Sequence, residues 1–135
     1  MKIKITLLAS ASLLLTISLF CSTQAFAHAH LINSEPAKDS IIHTVPTSVT
    51  LHFNEELEAS MSKLEVMNLE TGNLVTEGRP TPLNEDKSTL HIMVNDTAAP
   101  KKKTRYEVSW KAVSKDSHKM TGKFEFSFQP ATKRP

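Results

Sequence analysis

Residues 104–113 read Thr104-Arg105-Tyr106-Glu107-Val108-Ser109-Trp110-Lys111-Ala112-Val113, the strongest alternation of apolar and polar side chains in the chain. The apolar side chains at every second position are Tyr106, Val108 and Trp110. The polar side chains between them are Glu107, Ser109 and Lys111. A repeat of two residues is the period of a β-strand with one buried face, because successive side chains point to opposite sides of the backbone. The stretch therefore predicts a strand whose aromatic face belongs to the core.

Other apolar runs predict further strands, several of them by the same alternation. They cover residues 31–34, 48–53, 63–68, 74–75, 89–94 and 123–129. The last run places Phe124, Phe126 and Phe128 on one face, and we expect these rings to share the core with the aromatics of residues 104–113. The turn signal Glu70-Thr71-Gly72-Asn73 predicts a hairpin between two of the runs.

The segment Arg79-Pro80-Thr81-Pro82 interrupts this pattern. Proline lacks the amide hydrogen that a central strand must donate, so we expect the segment to be a connector. About seven short strands, no stretch of helical period and regularly spaced turn signals are typical of a two-sheet β protein. We therefore predict an all-β fold, an immunoglobulin-like Greek-key β-sandwich of about seven strands.

Residues 1–27 have the three parts of a secretory signal peptide. Lys2 and Lys4 give a positive start, residues 5–20 are mostly apolar, and Ala25-Phe26-Ala27 matches a small-x-small cleavage pattern. Cleavage after Ala27 would leave residues 28–135 as one domain that begins with His28. Cleavage after Ala25 is the alternative. No other apolar run is long enough to span a bilayer, so we expect a soluble protein outside the cytoplasm.

Charge and cysteine content exclude several classes of function. The two lysines of the leader account for the net charge of +2, so the mature chain is formally neutral and offers no sign of nucleic-acid binding. The single cysteine, Cys21, lies in the leader, so a metal site in the mature chain must use nitrogen, oxygen or methionine sulfur. No Ser-His-Asp arrangement, phosphate loop or zinc-protease helix is visible, and hydrolase chemistry therefore has no candidate.

A histidine at the start of a mature chain offers two nitrogens to one metal ion, its α-amine and its imidazole. Asp116 and His118 lie between the two best strands and are two residues apart, so their side chains would project to the same side of an extended backbone. With His28 they would supply three nitrogens and one oxygen, a natural tetragonal set for Cu(II). We predict a Cu(II) site with His28, Asp116 and His118 as ligands, and no catalytic residue.

His30 offers a rival way to bind copper. A free terminus with histidine in third position can hold Cu(II) through the amine, two deprotonated backbone amides and the imidazole. The two modes exclude each other because both use the amine of His28. If the segment after His30 is tied into a sheet, wrapping of the backbone around copper is hindered. That arrangement would favour the site with Asp116 and His118.

Several segments resemble the CopC family of periplasmic copper-binding proteins, which are small secreted β-sandwiches that begin with histidine. The segments are His28-Ala29-His30-Leu31, Ser34-Glu35-Pro36-Ala37, Leu51-His52-Phe53-Asn54-Glu55, and residues 106–118 running into Thr121-Gly122. The resemblance implies that His28, Asp116 and His118 hold Cu(II) at one end of the sandwich, and that Glu55 orients a ligand by accepting a hydrogen bond. It also implies a periplasmic copper carrier, with an inner-membrane copper transporter and other copper-resistance proteins as partners.

Some members of that family also bind Cu(I) through a methionine-rich loop. The mature methionines here are scattered, so we expect a Cu(II)-only variant; they are Met61, Met67, Met93 and Met120.

Two other functions compete with a copper carrier. A secreted copper monooxygenase acting on polysaccharide would also use a terminal histidine on a β-sandwich. However, about a hundred residues leave little area for a polysaccharide face, and Asp116 would occupy an equatorial position on the metal. A secreted adhesion or interaction module with incidental histidines is the third possibility.

Overall fold

The computed structural model describes residues 29–96 and 100–131, and within these ranges the chain forms nine β-strands, where the sequence predicted about seven. The strands are β1 (Leu31–Glu35), β2 (Ile41–Ile42), β3 (Ser48–Phe53), β4 (Lys63–Asn68), β5 (Asn73–Leu74), β6 (Thr81–Leu83), β7 (Asp86–Met93), β8 (Thr104–Val113) and β9 (Lys119–Phe128). Within these two ranges the one helical element is a single 3-10 turn, Ala59–Met61. None of the helical structure described there could span a membrane. The predicted signal peptide and His28 lie outside the described residues.

Two sheets share these strands. One has the order β1-β3-β7-β6 and is antiparallel throughout, and the other has the order β2-β9-β8-β4-β5. In the second sheet only β2 runs parallel to its neighbour, β9. The apolar faces of the two sheets enclose a single core, which confirms the predicted all-β sandwich.

The core is centred on β8 and β9, which pair along their full length from Thr104–Phe128 to Val113–Lys119. The ring of Tyr106 is fully buried and stacks on Phe126 with centroids 5.1 Å apart. Inward side chains from the opposite sheet complete the core; they include Val49, Leu51, Phe53, Leu90 and Ile92. The predicted shared core of β8 and β9 aromatics is therefore confirmed.

Two strands differ from the sequence prediction, and both lie at the edge of a sheet. Thr81–Leu83 is a strand rather than a connector, but it lies at the edge of its sheet beside β7. Pro82 is tolerated there because an edge strand has one side without a partner. The two-residue strand Ile41–Ile42 was not predicted at all, since it is too short to show alternation. β9 also begins at Lys119, four residues before the predicted start.

Three segments meet at one end of the sandwich, which we call the hairpin end because it carries the turn between β8 and β9. The start of β1 joins the end of β3 there, because the amide of Asn54 donates to the carbonyl of His30 at 3.2 Å. The loop after β3 then reaches the hairpin through a bridge between Leu57 and Ser114. The loop after β3 therefore connects residues 29–31 with the β8–β9 turn.

Candidate metal site

The turn between β8 and β9 consists of residues 114–118. The amide of Ser114 donates to the carbonyl of His118, and the amide of Ser117 donates to the carbonyl of Ser114, both at 2.9 Å. Ser117 has a left-handed backbone with φ of 71°. A tight turn followed by one left-handed residue is a common way to join antiparallel strands, because its twist matches theirs. The two long strands thus fix the backbone on either side of Asp116.

Asp116 and His118 are brought into direct contact by this turn. Nδ1 of His118 lies 2.6 Å from Oδ2 of Asp116, and both side chains are about half exposed to solvent. The sequence predicted that these side chains would converge, but for the wrong reason. Asp116 lies within the turn rather than in extended backbone, so it is the chain reversal that brings carboxylate and imidazole together.

Ser114 holds the other carboxylate oxygen. Its side chain is fully buried, and its hydroxyl donates to Oδ1 of Asp116 in a short hydrogen bond. The hydrogen bond from Ser114, followed by that from His118, lowers the pKa of Asp116 below its usual value. Sequence reasoning missed this role. A serine two residues before an acid in a turn is a signal that could have found it, because such hydroxyls often bond locally.

The loop after β3 supports the turn from one side. The amide of Glu58 donates to the carbonyl of Val113 at 2.8 Å, and the amide of Lys115 donates to the carbonyl of Glu56 at 3.2 Å. The ammonium of Lys115 also pairs with the carboxylate of Glu56 at 3.0 Å. Glu55 lies in the same loop and is half-buried. The backbone of this loop and of the hairpin therefore form one hydrogen-bonded unit.

The first described residues lie against the same loop. Ala29 is buried, and the amide of His30 donates to Oδ1 of Asn54 at 2.6 Å. His28, the residue predicted to supply two nitrogens, precedes this point and lies outside the described residues. The structure thus brings together Asp116 and His118, and it places Glu55 in the adjoining loop.

The Asp116–His118 pair offers one oxygen and one nitrogen to a metal ion. Two neighbouring ligands of a square-planar ion with bonds of about 2.0 Å lie about 2.8 Å apart. The observed separation of 2.6 Å is close to that edge, so both atoms could bind one ion once their side chains turn toward it, without the turn itself opening. Across residues 29–96 and 100–131, no three acidic, histidine or cysteine side chains form a metal-binding group.

Two of the other described histidines, His43 and His91, have partners away from the pair. Nδ1 of His91 contacts the hydroxyl of Thr50 at 2.9 Å on the outer face of a sheet. Nδ1 of His43 contacts the carbonyl of Gln129, also at 2.9 Å. A groove of about 580 Å³ lies along residues 35–36, 42–48 and 50, toward the opposite end of β3 from the hairpin end. These features do not extend the Asp116–His118 pair.

The fold and the pair define a class of protein, a small β-sandwich with an imidazole and a carboxylate poised at one end. Residues 31–129 match the family model described as the CopC domain, and the chain belongs to the CopC family. Proteins of this family bind copper, so the general function of the chain is copper handling.

Two relatives illustrate the range of the family. The chain is 33% identical over 115 residues to Protein YobA of Escherichia coli K12, covering 84% of this chain and 88% of YobA. It is 30% identical over 119 residues to Copper transport protein CutJ of Bacillus subtilis 168. That match covers 88% of this chain but only 21% of CutJ, so the chain spans about a fifth of the length of that relative.

Solved structures agree with the fold. CopC from Methylosinus trichosporium OB3b superposes with a TM-score of 0.67 at 24% identity, covering 80% of this chain and all of that one. PcoC, described as a methionine-rich copper resistance protein from Escherichia coli, superposes with a TM-score of 0.61 at 26% identity. It covers 76% of this chain and 100% of PcoC. Both likenesses support the β-sandwich.

Proposed function

We propose that this protein is a periplasmic Cu(II) carrier that binds one ion through His28, Asp116 and His118. The observation that carries the proposal is the Asp116–His118 pair, whose 2.6 Å separation suits two neighbouring ligands of a square-planar ion. Copper is the cargo rather than a cofactor. Ligand chemistry supports the oxidation state, because imidazole nitrogen and carboxylate oxygen suit Cu(II), whereas Cu(I) prefers sulfur.

In this proposal His28 becomes the first residue when the signal peptide is removed after Ala27. Its α-amine and imidazole then supply the two nitrogens that the Asp116–His118 pair lacks. The nearness of Asn54 to His30 at the hairpin end supports this assignment, since the segment that carries His28 enters the fold beside the turn. Copper would replace the hydrogen shared by Asp116 and His118.

Glu55 has a supporting part in the proposal. It is half-buried in the loop that hydrogen-bonds the hairpin, and we assign it the role of accepting a hydrogen bond that orients a ligand. Ser114 has the parallel role for Asp116, because its hydroxyl engages Oδ1 and leaves Oδ2 to face His118. The carboxylate would then bind copper through one oxygen.

A carrier needs to fill the equatorial positions of its ion and release it to a partner, and it needs no room for a substrate. The four proposed donor atoms complete a square plane, so the protein acts without catalysis. The partners we propose are an inner-membrane copper transporter and other copper-resistance proteins. CutJ supports the transporter as a partner. A segment similar to this chain makes up about a fifth of CutJ, which is named a copper transport protein.

The test uses exported protein whose mass confirms His28 as the first residue. Copper affinity is measured by competition with a chelator of known affinity, for this protein and for a variant with one glycine before His28. The extension moves the amine by one residue and breaks the chelate ring, so Cu(II) binding should weaken by orders of magnitude. The melting temperature without copper should stay unchanged. Equal affinity of the two proteins would contradict a terminal-histidine site.

A further inference from the structure

Two copper-binding modes compete for the amine of His28 if the proposed function is correct, and the following inference rests on it. In the first mode Asp116 and His118 complete the site. In the second the ion is wrapped by the terminal tripeptide, using the amine, the amide nitrogens of Ala29 and His30, and the imidazole of His30. The second mode closes all four equatorial positions within one short segment. The contacts of residues 29–30 with the rest of the protein must determine which mode forms.

Asn54 contacts the backbone of His30 at two points. Its side-chain oxygen Oδ1 accepts the amide hydrogen of His30 at 2.6 Å, and its own amide donates to the carbonyl of His30 at 3.2 Å. The residues on either side are also held. Ala29 is 6% exposed, and Leu31 pairs with Phe53 in the first sheet. His30 therefore has a fixed peptide plane, with its amide hydrogen directed at Asn54.

We propose that Asn54 is a specificity-determining residue that keeps the amide nitrogen of His30 away from copper and so selects the site with Asp116 and His118. An amide nitrogen binds Cu(II) only after its N–H bond breaks, with the proton passing to water and the ion taking the place of the hydrogen. The oxidation state of copper does not change. In this protein the place of that hydrogen faces Oδ1 of Asn54, so the ion and the side chain would compete for one position.

The choice between the two binding modes determines which part of the protein holds copper. Copper in the tripeptide chelate would have four nitrogens from residues 28–30 and no bond to the hairpin. Copper held by the hairpin would be bound in part by Asp116 and His118, which lie in the turn between two long strands whose pairing fixes both ends of that turn. Asn54 thus ties the coordination of copper to the folded surface that a partner would meet.

The experiment compares Asn54→Ala with the matched variant Asn54→Asp, which keeps an oxygen acceptor at the same place. Each is made in protein starting at His28, alone and combined with His30→Ala. Cu(II) coordination is read by paramagnetic resonance, with and without His118→Ala. Protons released per ion are measured by calorimetry in two buffers with different ionisation enthalpies.

We expect Asn54→Ala to gain a four-nitrogen signal that disappears with His30→Ala. In that mode about two more protons should be released per ion than in the site with Asp116 and His118, because two backbone amides lose their protons to bind the metal. Asn54→Asp should keep the coordination of the unchanged protein. If Asn54→Ala still responds to His118→Ala and not to His30→Ala, Asn54 selects nothing. A four-nitrogen signal in the unchanged protein would also overturn the selection. The proposed function fails separately, if the unchanged protein is indifferent to His118→Ala.

Discussion

Nδ1 of His118 lies 2.6 Å from Oδ2 of Asp116, and this contact lies in the turn that joins two ten-residue strands. The backbone under the pair is held by the β8–β9 ladder, by the turn and by the loop after β3. In the proposed copper site this support would confine rearrangement to the two side chains, and preorganisation of that kind lowers the free-energy cost of binding. The following predictions test how the surrounding residues maintain it.

Ser114→Ala should weaken Cu(II) binding by roughly tenfold, as is usual when a residue that orients a metal ligand is removed. The hydroxyl of Ser114 engages Oδ1 of Asp116, and without it the carboxylate can rotate away from His118. Competition titration measures the loss, and Ser109→Ala on the outer face of β8 is the control. Affinity equal to that of the control would show that the turn alone orients Asp116.

Gly122→Ala should destabilise the fold by about 1–3 kcal/mol, because overpacking a filled core has that typical cost. A methyl group at this position would lie 2.7 Å from Cε2 and 3.0 Å from Nε1 of Trp110. The indole is itself held by an edge contact with Phe53, with centroids 5.2 Å apart. Unfolding in guanidinium, followed by circular dichroism, measures the change.

A second background tests whether the indole causes that loss. In Trp110→Leu the flat ring is absent, so adding Gly122→Ala should cost clearly less than it does in the unchanged protein. An identical cost in both backgrounds would mean that the substitution acts through the backbone of β9 instead.

The stability of the protein should fall above pH 10 because of Tyr106. Burial, and then the hydrogen bond to Asp96 at 2.7 Å, raise the pKa of this phenol well above its usual value of about 10. Below pH 10 both states are protonated, and the contribution to stability is complete. Above pH 10 only the unfolded state loses the proton, so this residue lowers the free energy of unfolding by about 1.4 kcal/mol per pH unit.

Tyr106→Phe isolates this effect. The variant should be less stable near neutrality by about 1 kcal/mol, the usual net value of one hydrogen bond, and its stability should fall less steeply above pH 10. Because Tyr106 is the single tyrosine, phenolate absorbance reports its ionisation directly and should appear only as the protein unfolds. Phenolate absorbance at pH 10 in folded protein would contradict the prediction.

Most of the core was predictable from the sequence, because apolar side chains at every second position over many residues fit a β-strand with one buried face. Tyr106, Phe124 and Phe126 are buried as expected, since each lies in a ten-residue strand whose other face is polar. Local patterns could not show which strands lie at an edge. Pro82 excludes a central position, but an edge strand and a connector both satisfy that condition, and the choice depends on pairing with distant β7.

The candidate site was predictable in its residue types and not in its geometry. The spacing of Asp116 and His118 suggested that their side chains converge, yet their contact depends on the left-handed backbone at Ser117. A glycine would have indicated such a backbone in the sequence, and residues 114–118 contain none. The roles of Ser114 and Asn54 were not predicted, because each depends on where one side chain points. The contact between Asn54 and His30 joins residues 24 apart in sequence.

The decisive measurement is a Cu(II) competition titration with paramagnetic resonance on protein starting at His28, with and without His118→Ala. We expect binding of one ion with a nitrogen-rich tetragonal signal, and a weaker affinity with altered coordination in the variant. Binding of equal strength and identical signal in both proteins would show that copper does not use the Asp116–His118 pair and that the proposed site is wrong.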